Sequence, residues 1–416
     1  MVEVGEYIAS LAVAAQKASV RLRVLSAEAK NRALQSIAAA LDARRERLAA
    51  ANARDLERGK AAGLSAAMLD RLTLTKKRID DMIGSLREIA AFDDPVGEVV
   101  GVRRPAGFLL EKVRTPIGVV AMIYESRPNV TLDAAALCLK SGNAVILRGG
   151  TEARESSTAI VEAIREGLSS AGVDGDSVQY VERSEYEAID ALVRQAGLVD
   201  LVIPRGGEAL IRRVVEKATV PVIKHYKGVC HLYVDQGADL PMAADVVANS
   251  KMQRPGTCNA LEKLLVHRSV AAEFLPLVRS KLPGVELRGD APTLSILPGT
   301  KAATEEDWYE EYLDLVLTVK VVGGLDEAMA HIEKYSSRHT DGILSRDTAN
   351  IERFVNTVDS SVVTVNASTR LNDGGVFGLG AEIGISTDKL HARGPMGLKE
   401  LTTYKWVVRG NGDLRR

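Results

Sequence analysis

An alternation of short apolar runs with helical segments is the feature of this sequence that most restricts its fold. Residues 117–124, 144–147 and 178–181 are apolar, whereas residues 132–140 and 153–170 carry helical patterns between them. Strands that alternate with helices in this way form right-handed βαβ units around a parallel sheet. The sequence therefore predicts an α/β fold.

A second series of the same kind starts near residue 229. Apolar residues at 232–234, a helical pattern at 243–251 and an apolar run at 263–267 follow one another, and Ser269 is the expected cap of the next helix. We therefore expect a new domain, and the predicted division is: residues 1–98 and 117–228, a first α/β domain with a helical layer; residues 229–397, a second α/β domain; residues 99–116 and 398–416, a small β arm.

Sequence patterns near the two ends of the chain predict the helical layer and the β arm. Residues 4–92 have helical periodicity, with Ser26 as one expected cap, whereas residues 99–114 form two β-rich runs about a Pro-Ala-Gly turn. The tail at 398–409 also ends in β-type residues, which we expect to pair with a neighbouring chain's edge strand. An arm of this kind predicts a homo-oligomer, a dimer or a tetramer.

Composition excludes several classes of function. The 54 basic and 55 acidic side chains nearly cancel, so there is no electrostatic reason to expect nucleic acid or a membrane surface as a partner. No run of about 18 apolar residues occurs, and three cysteines without paired spacing indicate reduced thiols. We expect a cytoplasmic protein.

Cys258 is the strongest candidate for a nucleophile. It lies in the polar turn Gln253-Arg-Pro-Gly-Thr-Cys-Asn259, where proline and glycine end any helix and Arg254 is close in sequence. An inert loop thiol is the alternative. Cys138 and Cys230 lie in apolar segments, and we expect them to be packed as small hydrophobic residues.

Two Arg-Gly-Gly turns suit a nucleotide. Residues 145–152 and 201–208 both pass from an apolar run through Arg-Gly-Gly to an acidic residue and a helix. Glycine lets the backbone approach a phosphate, and the start of a helix offers free N–H groups. Neither turn matches G-x-G-x-x-G, so an ordinary structural turn remains the alternative.

Other polar loops could hold an anionic substrate. Arg127 and Asn129 follow the apolar run 119–124, at the carboxyl end of a predicted strand, and an Asn amide there can donate to an oxyanion; an ordinary Pro-Asn turn is equally consistent. Arg338 and His339 lie in a loop rich in Ser and Thr that suits a carboxylate or a phosphate. No clustered metal ligands are visible, so the sequence supports no metal site.

The order of these parts resembles the aldehyde dehydrogenase superfamily over nearly the whole chain, and within it the branch that reduces the acyl phosphate of glutamate in proline biosynthesis. The segment from Val322 to Ile343, which ends in Tyr-Ser-Ser-Arg-His-Thr-Asp-Gly-Ile, is similar to a signature of that branch. So are Ser126-Arg-Pro-Asn-Val-Thr and the Cys258 turn. The resemblance implies an aldehyde-dehydrogenase-like fold, with a Rossmann-type cofactor domain, a catalytic domain and an oligomerisation arm.

The resemblance also implies roles for individual residues. Cys258 is the implied nucleophile, with Asn129 and the Cys258 amide as oxyanion donors. Glu311 stands where the superfamily binds the nicotinamide ribose, and Arg148 stands near its phosphate-binding lysine. The implied contacts are as follows: cofactor, Arg148, Gly149, Gly150, Pro204, Arg205, Gly206, Gly207 and Glu311; substrate, Arg127, Arg254, Arg338 and His339.

One departure bears on the reaction. Aldehyde-oxidising members carry Glu-Leu-Gly-Gly before the cysteine, and here the corresponding stretch is His225-Tyr-Lys-Gly228. Hydrolysis of a thioester needs a general base such as that glutamate, whereas reduction of a thioester does not. We therefore expect reduction of L-glutamyl 5-phosphate by NADPH through a thioester, with coupling to the kinase that makes this substrate.

Three other functions remain open at this stage. A cysteine acyl-hydrolase would need a water-activating base and no nucleotide. A scaffold without catalysis would keep its properties after Cys258→Ala. An NAD-dependent aldehyde oxidiser is the nearest alternative, and the missing glutamate disfavours it.

Overall fold

The computed structural model describes residues 3–104, 108–379 and 381–415 and confirms the predicted succession of strands and helices. The first part of the chain contains, in order, α1 (Val4–Leu22), α2 (Ala27–Ala43), α3 (Arg45–Ala61), α4 (Ala66–Leu72), α5 (Lys76–Ala91), β1 (Val99–Arg103), β2 (Leu109–Pro116), β3 (Val119–Tyr124), α6 (Asn129–Lys140), β4 (Ala144–Arg148), α7 (Arg154–Ser170), β5 (Val178–Tyr180), α8 (Tyr186–Leu192), β6 (Leu201–Arg205) and α9 (Glu208–Lys217).

The second part continues the alternation. It contains β7 (Cys230–Val234), α10 (Leu240–Met252), β8 (Leu261–His267), α11 (Arg268–Ser280), β9 (Glu286–Gly289), α12 (Ala291–Ile296), β10 (Lys301–Ala302), α13 (Glu305–Tyr309), β11 (Val316–Val322), α14 (Leu325–Tyr335), β12 (Thr340–Leu344), α15 (Thr348–Thr357), β13 (Val362–Val365), β14 (Gly384–Ser386), β15 (Gly394–Met396) and β16 (Thr402–Arg409).

The chain forms two compact units. The first unit runs to Lys224 and includes Leu379–Gly384 and Met396–Arg416, and the second comprises His225–Gly378 and Ile385–Pro395. No helix among the described residues is long and apolar enough to cross a membrane.

A parallel sheet in the order β5-β4-β3-β6 organises the first unit. Every residue of β3 and β4 is buried, as expected of strands that helices cover on both faces. Ser26 caps α2 as predicted, since its side chain accepts a hydrogen bond from the Ala29 amide. The loops after β4, β3 and β6, which carry the predicted binding residues of this unit, therefore follow the carboxyl ends of three neighbouring strands.

The arm is a separate antiparallel sheet in the order β1-β2-β16 within the first unit. β16 pairs with β2 from Thr402 opposite Pro116 to Arg409 opposite Leu109. The tail therefore pairs with β2 of its own chain, and because β16 is the last strand in this order, its pairing with a neighbouring chain stays a prediction. The predicted Pro-Ala-Gly turn, residues 105–107, lies outside the described residues.

The second unit has a parallel sheet in the order β10-β9-β11-β8-β7-β12-β13. Successive residues of β8 point to opposite faces: Leu264 packs in a core with Phe274 of α11, and Leu265 packs in another with Phe354 of α15. Ser269 does not cap α11 as predicted. The cap is His267, whose side chain accepts from the Ser269 amide at 3.1 Å.

Candidate active site

Hydrogen bonds and a close backbone contact hold the Cys258 turn, which connects α10 to β8. Thr257 Oγ1 donates to the carbonyl of Arg254 at 2.8 Å, and Asn259 Nδ2 donates to the carbonyl of Asn372 at 2.8 Å. A Cβ at Gly228 would lie 1.8 Å from the Cys258 carbonyl oxygen, so only glycine allows this approach. The thiol is thus positioned from several sides.

Two imidazoles lie beside this thiol. A ring nitrogen of His225, a ring nitrogen of His339 and Cys258 Sγ all lie within 4.8 Å of one another. The two rings meet edge to face, with centroids 5.4 Å apart. These residues come just before the adjacent strands β7, β12 and β8, so the amino ends of three neighbouring strands form the cluster.

The two rings are held differently. His225 Nδ1 lies 2.8 Å from the carbonyl oxygen of Ile385. A carbonyl only accepts, so Nδ1 carries the hydrogen, and in the neutral ring Nε2 keeps the lone pair. His339 is fully buried, its Nδ1 lies 2.8 Å from Thr340 Oγ1, and its Nε2 has no hydrogen-bond partner among the described residues.

This setting distinguishes Cys258 from the other thiols. Burial by itself raises the pKa of Cys258, but His339 and His225 outweigh it and hold that pKa well below the ordinary value. Burial raises the pKa of Cys138 and that of Cys230, which also donates a hydrogen bond to the Cys258 carbonyl at 3.2 Å. Both are fully buried, as the sequence predicted. Cys258 is therefore the thiol prepared to react as a thiolate.

The charged residues of the second unit that were considered for the site differ in their contacts and exposure. Glu311 accepts a hydrogen bond from the Gly228 amide, and its pKa is raised by burial and by the charge of Cys258. Arg254 is exposed. Arg338 donates to Glu333 at 2.7 Å and lines a cavity of about 340 Å³ whose lining does not include Cys258. The substrate roles of both arginines stay predictions.

Sequence reasoning missed two groups at this site. The sequence marked His225 only as the residue that replaces a glutamate. That replacement was itself a signal, because the side chain at this position faces the thiol. Arg370 donates to Asn259 Oδ1 and, at 2.8 Å, to Gln253 Oε1, so it lies against the Cys258 turn. Nothing in its local sequence indicated this position.

In the first unit, Asn129 is the first residue of α6, directly after the loop that follows β3. Its Nδ2 donates to Asp133 Oδ2 at 3.0 Å. Burial raises the pKa of Asp133 to about 6, and the bond from Asn129 opposes this rise. Arg127 is half-buried in the same loop. The Asp133 carboxylate therefore fixes the orientation of the Asn129 side-chain amide.

The first Arg-Gly-Gly turn holds a buried cation. Arg148 is 6% exposed, and its guanidinium donates to the carbonyls of Gly149 and Ser184 at 3.1 and 2.5 Å. Its Nε has no partner among the described residues, and burial lowers its pKa. A Cβ at Gly150 would lie 2.3 Å from a Glu152 carboxylate oxygen. An unmatched guanidinium N–H and a bare backbone fit an anionic ligand such as a nucleotide phosphate.

The second turn carries a carboxylate at the start of a helix. Gly207 precedes α9, and its amide donates to Glu125 Oε2 at 2.8 Å. A Cβ at Gly206 would lie 2.6 Å from the same oxygen. Since Glu125 is exposed, its side chain can rotate away. A phosphate bound here would replace one anion with another.

Comparisons with known proteins found relatives over nearly the whole chain. The model of the aldehyde dehydrogenase family matches residues 5–306. Gamma-glutamyl phosphate reductase of Geotalea daltonii is 53% identical over 416 residues, which cover 99% of this chain and 100% of that protein. The protein of the same name from Thermodesulfovibrio yellowstonii is 50% identical over 417 residues, with 100% of both covered. The crystal structure of gamma-glutamyl phosphate reductase from Thermotoga maritima has a TM-score of 0.97 at 47% identity, covering 98% of this chain and 100% of that one.

Proposed function

The chain belongs to the aldehyde dehydrogenase family, and on that premise we propose that it reduces L-glutamyl 5-phosphate to L-glutamate 5-semialdehyde with NADPH and releases phosphate. The observation that carries this proposal is the cluster of His225, Cys258 and His339, in which the two imidazoles hold the pKa of the thiol well below its ordinary value. The names of full-length relatives support the choice of substrate. The reaction would serve proline biosynthesis in the cytoplasm.

In the first step, the Cys258 thiolate attacks the acyl carbon and a C–S bond replaces the C–O bond to phosphate. The Cys258 amide and the Asn129 side chain are the proposed donors to the oxyanion. The departing phosphate needs one proton, and the imidazole cluster supplies it. The products are a thioester on Cys258 and inorganic phosphate.

In the second step, the thioester is reduced. A bound nicotinamide cofactor supplies the hydride. Cys258 leaves the resulting thiohemiacetal as a thiolate, so the aldehyde forms and the cysteine returns to its starting state, while the imidazole cluster takes a proton from solvent. No water attacks at any stage, which agrees with an imidazole, rather than a glutamate, at position 225.

The proposed cofactor residues are those of the two Arg-Gly-Gly turns and Glu311. Arg148 is the proposed partner of the cofactor's 2′-phosphate, since its unmatched N–H suits an oxyanion, and on this basis we propose NADPH rather than NADH. The backbone at Gly149, Gly150 and 204–207 would hold the other phosphates. Arg127, Arg254, Arg338 and His339 are the proposed residues for the substrate's charged ends.

The arm supports a homo-oligomer. Tyr404, Trp406 and Val408 alternate along β16 and are 51%, 50% and 62% exposed, so they form an apolar face on one side of the strand. Large exposed apolar patches mark interaction surfaces. We propose that this face is covered by another copy of the chain.

The reverse reaction tests the proposed function. NADPH formation from glutamate semialdehyde should require inorganic phosphate, because the thioester can leave the enzyme only by attack of phosphate. Cys258→Ala should abolish turnover and keep NADPH binding, and the buried Cys138 provides the matched control, Cys138→Ala. Turnover without phosphate would overturn the acyl-phosphate assignment, and activity in Cys258→Ala would remove this thiol from the mechanism.

A further inference from the structure

The arrangement of His225, Cys258 and His339 suits a transition metal as well as a substrate. Zn²⁺ is bound by thiolate sulfur and imidazole nitrogen, at about 2.3 and 2.0–2.1 Å, in a tetrahedral geometry. In such a site the ligand atoms lie about 3.4–3.6 Å from one another. The three ligand atoms here already lie within 4.8 Å of one another. A displacement of about an ångström in these side chains would bring the three ligand atoms to the separations found in such a site.

The surroundings of His225 support ligation. Histidines that bind metals almost always donate their other ring N–H to a carbonyl, a carboxylate or water, which fixes the tautomer and the ring orientation. His225 Nδ1 makes this contact with the carbonyl of Ile385, at 2.8 Å. This contact fixes the tautomer and the orientation of the His225 ring in the same way as in metal sites.

The burial of His339 is an independent sign of a ligand. Its side chain is fully buried, yet Nε2 has no hydrogen-bond partner among the described residues. A buried nitrogen without a partner is unfavourable, because nothing replaces the hydrogen bond that it would make with water. A bound cation would satisfy it.

We propose that His225, Cys258 and His339 form a site that captures Zn²⁺, with two imidazoles and one thiolate as ligands and the fourth position open to water or an anion. Binding of Zn²⁺ releases the proton that the thiol and the imidazoles share. It also occupies the Cys258 sulfur that would attack the substrate. The free metal therefore blocks the thiol reversibly. This inference goes beyond the proposed function, because capture of the metal requires neither substrate nor cofactor.

The metal itself is the probe for the first test. Zn²⁺ is titrated into the full chain, without substrate or cofactor, in competition with a chromophoric chelator. We expect one site per chain, and a loss of affinity in Cys258→Ser and His225→Gln at least as large as the 10–100-fold that removal of an outer-shell partner causes. His267→Gln and Cys138→Ala change a histidine and a cysteine outside the cluster and should keep the site. Equal Zn²⁺ binding by all these proteins would overturn the proposal.

Two further measurements identify the ligands without activity. Co²⁺ in the same site should show a thiolate-to-metal absorption band that disappears in Cys258→Ser, and absence of this band in the parent protein would argue against sulfur ligation. Zn²⁺ should slow alkylation of Cys258, and a chelator should restore it. Because neither readout involves glutamyl phosphate, a failed reductase assay leaves this inference intact, whereas an active enzyme that ignores Zn²⁺ refutes this inference alone.

Discussion

Replacement of His225 by glutamine should move the reactivity of Cys258 to higher pH. The imidazole nitrogen lies within 4.8 Å of Sγ. A charge pair at that separation is worth about 0.9 kcal/mol in bulk water and about 3.5 kcal/mol at an effective dielectric constant of 20. Loss of this interaction disfavours the thiolate, so the pKa of Cys258 should rise, and since 1.36 kcal/mol is a factor of ten, the reactive fraction below that pKa should fall about 4- to 400-fold.

The pH dependence of alkylation measures this shift. Only the thiolate reacts, so the variant should react more slowly below its new pKa and as fast as the parent above it. Iodoacetamide labelling of Cys258, followed by peptide mass spectrometry across a pH series, gives both curves. His267→Gln is the control, because that histidine caps α11 and lies outside the cluster. Superimposable curves for His225→Gln and the parent would refute the thiolate–imidazole pairing.

Three further predictions concern other parts of the structure. Gly228→Ala places a Cβ against the carbonyl of the catalytic turn and should destabilise the fold by about 1–3 kcal/mol in urea unfolding, whereas Gly5→Ala, which meets nothing within 4 Å, should not. Lys251→Met leaves the buried carboxylate of Glu262, 3.1 Å from Lys251 Nζ, without its partner and should cost about 3–5 kcal/mol; a double variant with Glu262→Leu should recover most of it, and additive losses would contradict the pairing. Glu125→Gln removes the negative charge at the start of α9 and should tighten NADPH binding by up to about 1 kcal/mol, roughly fivefold, in a fluorescence titration; weaker binding would contradict the competition between this carboxylate and a phosphate.

The local patterns of the sequence predicted most of the fold. Alternation of apolar and helical runs depends on neighbouring residues, and each predicted strand from residue 117 to 267 is present. The pairing of β16 with β2 was missed because it joins segments far apart in the chain, and a β pattern does not indicate its partner. The cap of α11 was missed because an imidazole took the role usually filled by a hydroxyl.

The candidate site was predictable only in part. The Cys258 turn could be recognised as unusual because of its proline, glycine and polar neighbours, whereas the role of Asn129, chosen because it follows a strand, stays a prediction. The imidazole cluster could not be foreseen, since His225 and His339 are far apart in sequence and meet only because β7 lies between β8 and β12. Ligands of α/β sheets usually gather at the carboxyl ends of strands, so that rule gave no reason to place His225 and His339 together at the amino ends of β7 and β12.

The hydrogen bond from His225 to Ile385 has a consequence for the biogenesis of the enzyme. The two residues are 160 positions apart, and the chain is made from its amino end. The ribosome therefore exposes Cys258 well before the carbonyl that orients the neighbouring ring. Until that late segment has folded into place, the ring of His225 lacks the carbonyl that orients it, so we expect the Cys258 thiol to reach its full reactivity only after residue 385 has been made.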